Sequence, residues 1–516
     1  MRQYKYLDKI NSPADLKKLQ EDELRPLAEE IRQFLVEKVE QNGGHLASNL
    51  GVVELTLAIH RVFDIPKDHL IFDVGHQSYV HKILTGRKDK FDELRQGGGI
   101  SGFTKRNESE ADCFGAGHSS TSISAGLGFA EADKLLSNDS TTVVVLGDGA
   151  FTGGMVHEAL NNCERNLRLV IVLNENEMSI SKNIGSFAKL LTKLRLRKGY
   201  VNTKNITRKI ITAIPFVGNP IFRLLRNFKK RIKDMLYGSN YFENLGMFYI
   251  GPIDGHNEKQ LEDALKIAKS CNESVIVHVN TIKGKGYAPA EENPGKYHGI
   301  SPISSKKQES NFSNEFGKCM IELAKDDDKI CVITAAMLDG TGLCEFSQKY
   351  PERTFDVGLA EEHALTFACG LASEGIKPYF AVYSTFLQRS YDQIIHDMAL
   401  QNLPVKLCID RAGLNAADGP THHGIYDVAM LSQVSNVTLF TPATYQALRQ
   451  SLILSNSIST PCAIRYNKGE EREEIIKEFY SNGVGNLGIK TNFDDSSSLD
   501  GIIITHGSIA VEACSI

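Results

Sequence analysis

The 516-residue sequence has no stretch of about eighteen uninterrupted apolar residues, the minimum for a helix that crosses a membrane. Residues 1–6 also lack the apolar core of a secretion signal, so we expect a cytoplasmic location and no membrane partner. The sequence has no large excess of one charge, since the net charge is −5 and the isoelectric point is near 6.3. This balance gives no electrostatic reason to expect nucleic acid as a partner.

The ten cysteines include no Cys-x-x-Cys pair and are scattered from Cys113 to Cys514. Several of them, such as Cys331 and Cys408, lie within apolar runs. This distribution favours buried free thiols over a zinc site or a set of disulfides. The chain is too long for a single core, and its 41% hydrophobic and 23% charged residues are ordinary for a globular protein of several domains.

The most informative stretch is a Gly-Asp-Gly turn around Asp148, which follows an apolar, β-branched run at residues 141–146. Such a run is typical of a buried parallel strand. Residues 153–160 are expected to form a helix and residues 169–173 a second buried strand, which together predict one βαβ unit. Because the carboxyl ends of parallel strands share one edge, Asp148 and Asn176 should emerge side by side.

A carboxylate and a neutral amide oxygen at one sheet edge are suitable ligands for magnesium, which takes oxygen ligands and completes its shell with phosphates and water. Gly147 and Gly149 would let the backbone approach a phosphate closely. The alternative is that Gly-Asp-Gly is only a surface turn. The second strand with its Asn-x-Asn ending favours the metal site.

Histidines and small residues follow other predicted elements of the first half. His45 stands directly after a Gly-Gly helix stop, where it is either a helix-end residue or part of a pocket wall. His76 follows a predicted strand that begins at Leu70, and a loop of small residues at 115–120 leads into a predicted helix at 121–130. The first N–H groups of that helix would form an anion site. We expect one pocket to collect these groups.

The second half begins after a polar linker at residues 301–313 and reads as another α/β domain. Apolar runs that predict its strands lie at residues 330–333, 354–359, 379–384 and 405–411. Glu361 stands where a helix should begin, and a carboxylate that caps the first turn is the simplest interpretation of it. The basic stretch at residues 184–245 is expected to be a flexible, solvated insertion, with nucleic-acid binding as the less favoured alternative.

The Gly-Asp-Gly turn, with the Asn-rich strand end that follows it, resembles the metal and diphosphate motif of thiamine-diphosphate enzymes. Longer motifs at residues 73–77, 115–124, 383–393, 410–413 and 417–424 resemble more narrowly the transketolase-like 1-deoxy-D-xylulose-5-phosphate synthase family. The resemblance extends from His45 to Tyr466. It implies an α/β fold with two thiamine-diphosphate-binding, doubly wound parallel-sheet domains at residues 1–300 and 314–475. Residues 476–516 would be a linker and the first strand of a truncated third domain.

The resemblance also implies a reaction, in which pyruvate and D-glyceraldehyde 3-phosphate condense with loss of carbon dioxide to give 1-deoxy-D-xylulose 5-phosphate. This product feeds isoprenoid, thiamine and pyridoxal synthesis, and the implied assembly is a homodimer. One alternative is a transketolase that moves two-carbon ketol units between sugar phosphates. Another is a non-catalytic paralogue or subunit, which is disfavoured because Asp148, Asn176 and Glu361 are all present.

Site residues follow by position from the resemblance, with thiamine diphosphate and Mg²⁺ as cofactors. The implied metal ligands are Asp148, Asn176 and the backbone carbonyl of Met178. The implied cofactor-binding residues are His76, Gly117, His118, Ser119, Asp148, Gly149, Ala150, Asn176, Tyr287, Glu361 and Phe386. The implied catalytic residues are Glu361, His45, His298, His422 and Asp418. The implied substrate-binding residues are His45, Tyr383, Arg411 and Arg465.

Two of these assignments have competitors within the sequence. Glu362 could replace Glu361 as the acid, although the first acidic residue is the one that matches the motif. Arg465 lies in Arg-Tyr-Asn-Lys-Gly, where the family pattern is Arg-Tyr-Pro-Arg-Gly, and a surface ion pair is an equal alternative to phosphate binding there. His60 and His423 are expected to be ordinary histidines.

Overall fold

The structure is a computed structural model that describes residues 3–176, 241–303, 310–415, 418–475 and 506–507. The chain divides after Ile303 into two units. Met178, most of the basic stretch at residues 184–245 and nearly all of residues 476–516 lie outside the described residues. The truncated third domain and the predicted flexible insertion therefore stay predictions, except that the last residues of the insertion form a helix, Tyr241–Asn244.

The first unit is built on a parallel sheet of five strands in the order β1-β2-β3-β5-β4. These strands are β1 (His69–Phe72), β2 (Thr142–Gly147), β3 (Leu169–Glu175), β4 (Phe248–Asp254) and β5 (Val275–Asn280). The predicted βαβ unit is confirmed, since β2 pairs in parallel with β3 and helix Gly154–Asn161 connects them. The sequence did not predict β4, whose pairing shifts register between Ile250 and Ile253 and so breaks the strand pattern.

Helices surround this sheet. Their bounds are Pro13–Lys17, Glu21–Asn42, Leu46–Leu50, Val53–Val62, Tyr79–Lys82, Ser122–Leu136, Gly154–Asn161, Tyr241–Asn244, Glu258–Lys269 and Ala288–Glu292. The two predicted helix boundaries near the start are confirmed. The Ser12 side chain accepts a hydrogen bond from the Asp15 N–H and caps the first helix, and Gly43 ends the second with a φ of 76°.

Apolar side chains cover both faces of the sheet because successive residues of a strand point to opposite sides. Val143 and Val145 of β2 pack with helices Val53–Val62 and Glu258–Lys269. Val144 and Leu146 pack on the other face with helices Ser122–Leu136 and Gly154–Asn161. This double burial explains why β2 and β3 read in the sequence as continuous apolar runs.

The second unit contains a parallel sheet of six strands in the order β10-β11-β9-β8-β6-β7. These strands are β6 (Ile330–Thr334), β7 (Thr354–Asp356), β8 (Lys377–Tyr383), β9 (Lys406–Asp410), β10 (Thr438–Phe440) and β11 (Cys462–Arg465). The four predicted strands are confirmed, although β7 ends three residues before the predicted limit. Two parallel-sheet α/β units thus confirm the predicted fold class for the residues that the structure describes.

Helices cover both faces of the second sheet as well. Their bounds are Phe312–Asp326, Cys344–Lys349, Glu361–Ser373, Ser384–Leu387, Tyr391–Gln393, Asp427–Leu431 and Tyr445–Ser457. The first of these begins inside the stretch that was predicted as linker, because the Asn311 side chain caps it. Cys331 and Cys408 are free and buried in strands, as predicted. In the described part of the chain, no helix combines the length and apolar character that crossing a bilayer requires.

A pair of glycines in helix Ser122–Leu136 tests how tightly the helix packs on the first sheet. A Cβ at Gly126 would lie 2.5 Å from Cγ2 of Val144, whereas a Cβ at Gly128 meets nothing within 4 Å. We expect Gly126→Ala to destabilise the protein by roughly 1–3 kcal/mol through overpacking. Gly128→Ala should stabilise it by about 0.5–1 kcal/mol because alanine favours the helix. Urea unfolding of both variants measures the contrast, and equal effects would contradict this packing.

Candidate active site

The carboxyl edge of the first sheet brings Asp148 and Asn176 together, as predicted. The backbone N–H of Gly149 donates to Oδ1 of Asp148 at 3.0 Å, and the N–H of Asn176 donates to Oδ2 at 3.1 Å. The backbone N–H of Asp148 in turn donates to the carbonyl of Asn174 at 3.1 Å. The Asp148 side chain is only 3% exposed. Its carboxylate therefore fixes the two loops that follow β2 and β3.

At the start of helix Ser122–Leu136, where we expected an anion site, a carboxylate of the protein accepts two backbone N–H groups. The carboxylate of Asp73 accepts hydrogen bonds from the backbone N–H groups of Ser120, at 2.8 Å, and Ser122, at 3.2 Å. The protein thus supplies its own anion to these amides, because Asp73 follows β1 directly. The predicted residues Gly117, His118 and Ser119 lie just before these amides, in the loop that precedes the helix.

Three histidines form a triangle at the same edge. The ring centroids are 5.6 Å apart for His45 and His76, 5.7 Å for His45 and His298, and 5.3 Å for His76 and His298. Asn49 holds two of them in place, since its Nδ2 donates to the backbone carbonyls of His45, at 2.6 Å, and His76, at 2.7 Å. Ser48 Oγ lies 3.2 Å from Nδ1 of His298. The structure thus brings together three histidines that are far apart in sequence.

Lys283, which the sequence analysis did not assign, follows β5 at this edge and is 6% exposed. Burial lowers the pKa of Lys283 to about 8, although the nearby Asp148 carboxylate acts in the opposite direction. Burial also holds the pKa of His76 and of His298 well below the usual range, and the positive charge of Lys283 adds to both effects. Both imidazoles are therefore neutral at pH 7, and the lysine can give up its proton near neutral pH.

A buried polar network holds the segment that carries Lys283. The guanidinium of Arg32 forms two hydrogen bonds of 2.7 Å with the Glu54 carboxylate, and Nδ1 of His256 lies 3.0 Å from the same carboxylate. Nε2 of His256 accepts the backbone N–H of Ile282 at 2.9 Å, so Nδ1 carries the proton that is donated to Glu54. Burial alone would raise the pKa of Glu54, but the hydrogen bonds from His256 and Arg32 lower it to about 2. The residue before Lys283 is thus anchored to a permanent ion pair.

Tyr287, which was predicted to bind cofactor, uses its hydroxyl within the protein. The hydroxyl donates to Oε1 of Glu40 at 2.7 Å, and the ring packs edge-on against Tyr297 at a centroid distance of 5.8 Å. The hydrogen bond of the hydroxyl therefore holds the segment after Lys283 against the helix that carries Glu40.

Glu361 is the first residue of helix Glu361–Ser373 in the second unit, as predicted, and is 2% exposed. Burial raises the pKa of Glu361 to about 7, against the opposing effect of the Arg389 guanidinium. A carboxyl that merely caps a helix is ionised at pH 7 and has a low pKa. The environment of Glu361 instead keeps the protonated form accessible, which is the requirement for an acid in catalysis.

The other predicted residues of this unit form an aromatic cluster. The rings of Tyr383 and Phe386 stack at a centroid distance of 5.9 Å, and His422 packs edge-on against Phe386 at 5.5 Å. The Arg411 guanidinium lies over the Tyr383 ring at 3.7 Å. A Cβ at Gly340 would overlap the Tyr383 hydroxyl at 1.6 Å and approach Nη2 of Arg411 at 3.4 Å, so only glycine fits there. Gly340 is a site residue that the sequence alone did not reveal.

Arg465 and Asp418 have partners of their own within the second unit. Nε of Arg465 donates to Oδ2 of Asp427 at 2.9 Å and Nη2 donates to Oδ1 at 3.3 Å, in an ion pair that is almost fully buried. Arg465 thus forms an ion pair within the protein, but the pair is buried and not at the surface as the alternative had it. Asp418 accepts a hydrogen bond from Asn415 at 3.3 Å, and His423 Nδ1 accepts the Asn415 N–H at 3.0 Å.

The donors at the carboxyl edge of the first sheet suit magnesium and a diphosphate. Magnesium takes oxygen ligands, few of them from the protein, and one carboxylate and one amide meet here. Within the described ranges, no group of three His, Cys, Asp or Glu side chains could hold a metal ion. The buried Lys283 ammonium lies at the same edge, and Nδ1 of His76 makes no hydrogen bond with any residue that the structure describes. Met178, the third predicted metal ligand, lies outside the described residues.

Comparison with known families supports this interpretation of both units. A family model described as transketolase, pyrimidine binding domain, matches residues 308–473. The match of the second unit thus indicates a transketolase-type enzyme. A model described as 1-deoxy-D-xylulose-5-phosphate synthase matches residues 7–281, which is more than half of the chain. The chain belongs to the 1-deoxy-D-xylulose-5-phosphate synthase family.

Individual relatives agree with this assignment. The 1-deoxy-D-xylulose-5-phosphate synthase of Clostridium perfringens strain SM101 is 50% identical over 478 residues, which cover 91% of this chain and 77% of the relative. The enzyme of the same name from Caldanaerobacter subterraneus is 50% identical over 477 residues, with the same coverage of 91% and 77%. The solved transketolase of Campylobacter jejuni matches with a TM-score of 0.41 at 17% identity, over 87% of this chain and 78% of that chain, a level that does not bear on function.

The pKa of Glu361 leads to a stability prediction for the cofactor-free protein. A folded-state pKa near 7, above the ordinary value of 4.5, means that the stabilising contribution is complete below about pH 4.5 and is lost as the pH rises through 7. Glu361→Gln has no such loss, so it should exceed the parent in stability by roughly 2–4 kcal/mol at pH 8 and match it near pH 4.5. Melting temperatures between pH 5 and 8 measure this difference. Glu362→Gln is the control, and parallel curves for the parent and Glu361→Gln would contradict the burial effect.

The position of Asp148 leads to a binding prediction. Asp148→Ala should lose measurable thiamine-diphosphate binding in the presence of magnesium, because alanine offers no negative oxygen to a metal. Asp148→Asn still has a side-chain oxygen for one of the two backbone N–H groups, and should retain the fold but lose most of the affinity. Calorimetric titration with and without magnesium measures both effects. Parent-like affinity in either variant would remove Asp148 from the metal site.

Proposed function

We propose that the chain catalyses the thiamine-diphosphate- and magnesium-dependent condensation of pyruvate with D-glyceraldehyde 3-phosphate to give 1-deoxy-D-xylulose 5-phosphate and carbon dioxide. The family assignment supports the reaction. The observation that supports the residue roles most directly is the meeting of Asp148, Asn176, Lys283 and the histidine triangle at the carboxyl edge of the first sheet. The proposed roles rest on the family resemblance, with this geometry and that of the second unit as support.

In the first unit, Asp148 and Asn176 would hold magnesium, and the metal would hold the diphosphate of the cofactor. Gly149 and Ala150 belong to the turn that positions Asp148, and Ser120 Oγ fixes this turn by donating to the Ala150 carbonyl at 2.8 Å. Thiamine diphosphate, when bound, supplies a carbon nucleophile that accepts pyruvate and allows the loss of carbon dioxide. The residues of the protein orient the cofactor and the substrates and transfer protons.

Proton transfer in the first unit is assigned to His45, His298 and Lys283. The lysine, whose pKa is about 8, can exchange a proton near neutral pH, and burial keeps the imidazole of His298 neutral and so available to accept a proton or a hydrogen bond. Ser48 fixes the ring of His298, and Asn49 fixes the backbone of His45. These contacts limit the number of orientations that the two imidazoles can take.

In the second unit, Glu361 is assigned as the acid that faces the pyrimidine of the cofactor, with Phe386 beside that ring. Arg411 is assigned to the phosphate of the acceptor, because a guanidinium donates two parallel hydrogen bonds to phosphate oxygens. Tyr383 supports Arg411 through the stacking contact of 3.7 Å. His422 is assigned to proton transfer at the acceptor, with Asp418 nearby.

The homodimer, the magnesium ion and the cytoplasmic location are further parts of this proposal. Their support is the family resemblance.

The proposal and its acceptor site are tested together with pyruvate and glyceraldehyde 3-phosphate. The parent should form 1-deoxy-D-xylulose 5-phosphate, whereas xylulose 5-phosphate in place of pyruvate should give no transfer. Arg411→Ala should raise the acceptor KM by about 30- to 1,000-fold, which corresponds to roughly 2–4 kcal/mol, because a phosphate dianion loses its bidentate partner. The release of carbon dioxide from pyruvate should continue in this variant.

Two controls separate the possible causes of the higher acceptor KM of Arg411→Ala. D-Glyceraldehyde without its phosphate should be used equally poorly by the parent and by Arg411→Ala. Arg411→Lys should recover part of the affinity, since it restores the charge without the planar fork. A variant with an unchanged acceptor KM and no turnover of pyruvate would show that Arg411 serves the donor or the fold, and ketol transfer from xylulose 5-phosphate would favour the transketolase alternative.

A further inference from the structure

Arg389 is a charged residue beside Glu361 that the assigned roles do not use. It lies in the short 3-10 helix Gln388–Ser390, and its side chain is 11% exposed. Nε of Arg389 is 3.2 Å from Oε2 of Glu361 and 3.8 Å from Oε1 of Glu362. The Glu362 side chain is 43% exposed, so that of the two carboxylates only Glu361 meets the guanidinium away from water.

Two carboxylates around one guanidinium make Arg389 a poor phosphate clamp. A phosphate brought to Arg389 would meet the negative charge of Glu362 and, when ionised, that of Glu361. Arg411, by contrast, rests on the face of an aromatic ring. The charges around Arg389 therefore point to a role within the protein.

The contact between Arg389 and Glu361 is one of charge rather than an aligned hydrogen bond. Oε2 of Glu361 is buried, yet it accepts no hydrogen bond from any residue that the structure describes. The guanidinium can therefore stabilise the ionised carboxyl without occupying this oxygen with a directed donor. A carboxyl in this state is held in place and still has a lone pair available for a ligand.

Opposing influences meet at Glu361. Burial favours the protonated carboxyl, and the negative charge of Glu362 acts in the same direction. The Arg389 charge and a hydrogen bond from the backbone of Glu361 favour the ionised form. Of the residues that shift the pKa of Glu361 in the described part of the chain, Arg389 is the one with a positive charge. Without Arg389, burial would keep Glu361 protonated at higher pH.

We propose that Arg389 is a positioning residue that acts through Glu361, holding the carboxyl at the start of its helix and setting how readily it releases its proton. The catalytic meaning of this pair rests on the proposed function, in which Glu361 is the acid. The contact itself does not depend on that assignment. The two can therefore be tested separately.

The first experiment titrates Glu361 in the cofactor-free protein by infrared spectroscopy. The carboxyl C=O absorption is followed from pH 4 to 10, and the spectrum of Glu361→Gln is subtracted to isolate the Glu361 signal. In Arg389→Gln, the midpoint should rise by about 1–3 pH units, because the carboxylate loses the cation that favours its ionised form. Arg389→Lys should return the midpoint towards that of the parent. Arg389→Met, which also removes the charge, replaces Arg389→Gln if the latter does not fold.

Glu362→Gln is the matched control, since it removes a charge from the same helix turn. Its midpoint should move slightly downwards, because the Glu362 charge favours protonation of Glu361. An unchanged midpoint in both neutral Arg389 variants would overturn the proposal. A midpoint shift in Glu362→Gln as large as that in Arg389→Gln would also overturn the proposal. Removing any charge near the start of the helix would then change the titration of Glu361 equally.

The second experiment measures kcat and KM of the complete enzyme with cofactor across the same pH range. In Arg389→Gln the pH profile of kcat should shift upwards with the infrared midpoint, while the KM for glyceraldehyde 3-phosphate changes less than threefold. A large rise in this KM with an unchanged titration would make Arg389 a phosphate ligand instead. If the titration of Glu361 shifts but the kcat profile does not, Arg389 does control the protonation of Glu361. In that case Glu361 is not the catalytic acid.

Discussion

The carboxylate of Asp148 connects the two strand ends on which the proposed cofactor site depends. It accepts the backbone N–H that follows it and the N–H of Asn176, so β2 and β3 end in a fixed relation to each other. Parallel pairing places these ends at one edge, and the side chain then sets their spacing. The proposed metal ligand is therefore preorganised, because the contacts of its carboxylate with the backbone fix its position without a metal.

Burial moves two key groups of the chain towards their neutral forms. Lys283 in the first unit and Glu361 in the second both lie in surroundings that disfavour charge, and the pKa of each approaches neutrality from opposite directions. Each has one opposing charge nearby, Asp148 for the lysine and Arg389 for the glutamate, which keeps the shift moderate. A group with this balance can exchange a proton at pH 7 with little energetic cost.

The sequence predicted those parts of the fold and the site in which a local pattern determines the outcome. The strands around Asp148 and the helix that starts at Glu361 were of this kind, since long apolar runs and cap positions are visible along the chain. The strand β4 was not, because a bulge interrupts its pattern, and β10 has only three residues. Lys283 was missed because its burial is a property of the fold, and Asp73 was missed because its partners lie 47 and 49 residues away.

The ion pair between Arg465 and Asp427 has a consequence for the variation that this chain can tolerate. Both side chains are almost completely buried, so replacing one leaves the charge of the other without compensation, at a cost on the order of 3–5 kcal/mol. Replacing both with apolar residues of similar volume removes that cost. The two positions therefore form an epistatic pair, in which each single change is harmful and only the double change is accessible to evolution without loss of the fold.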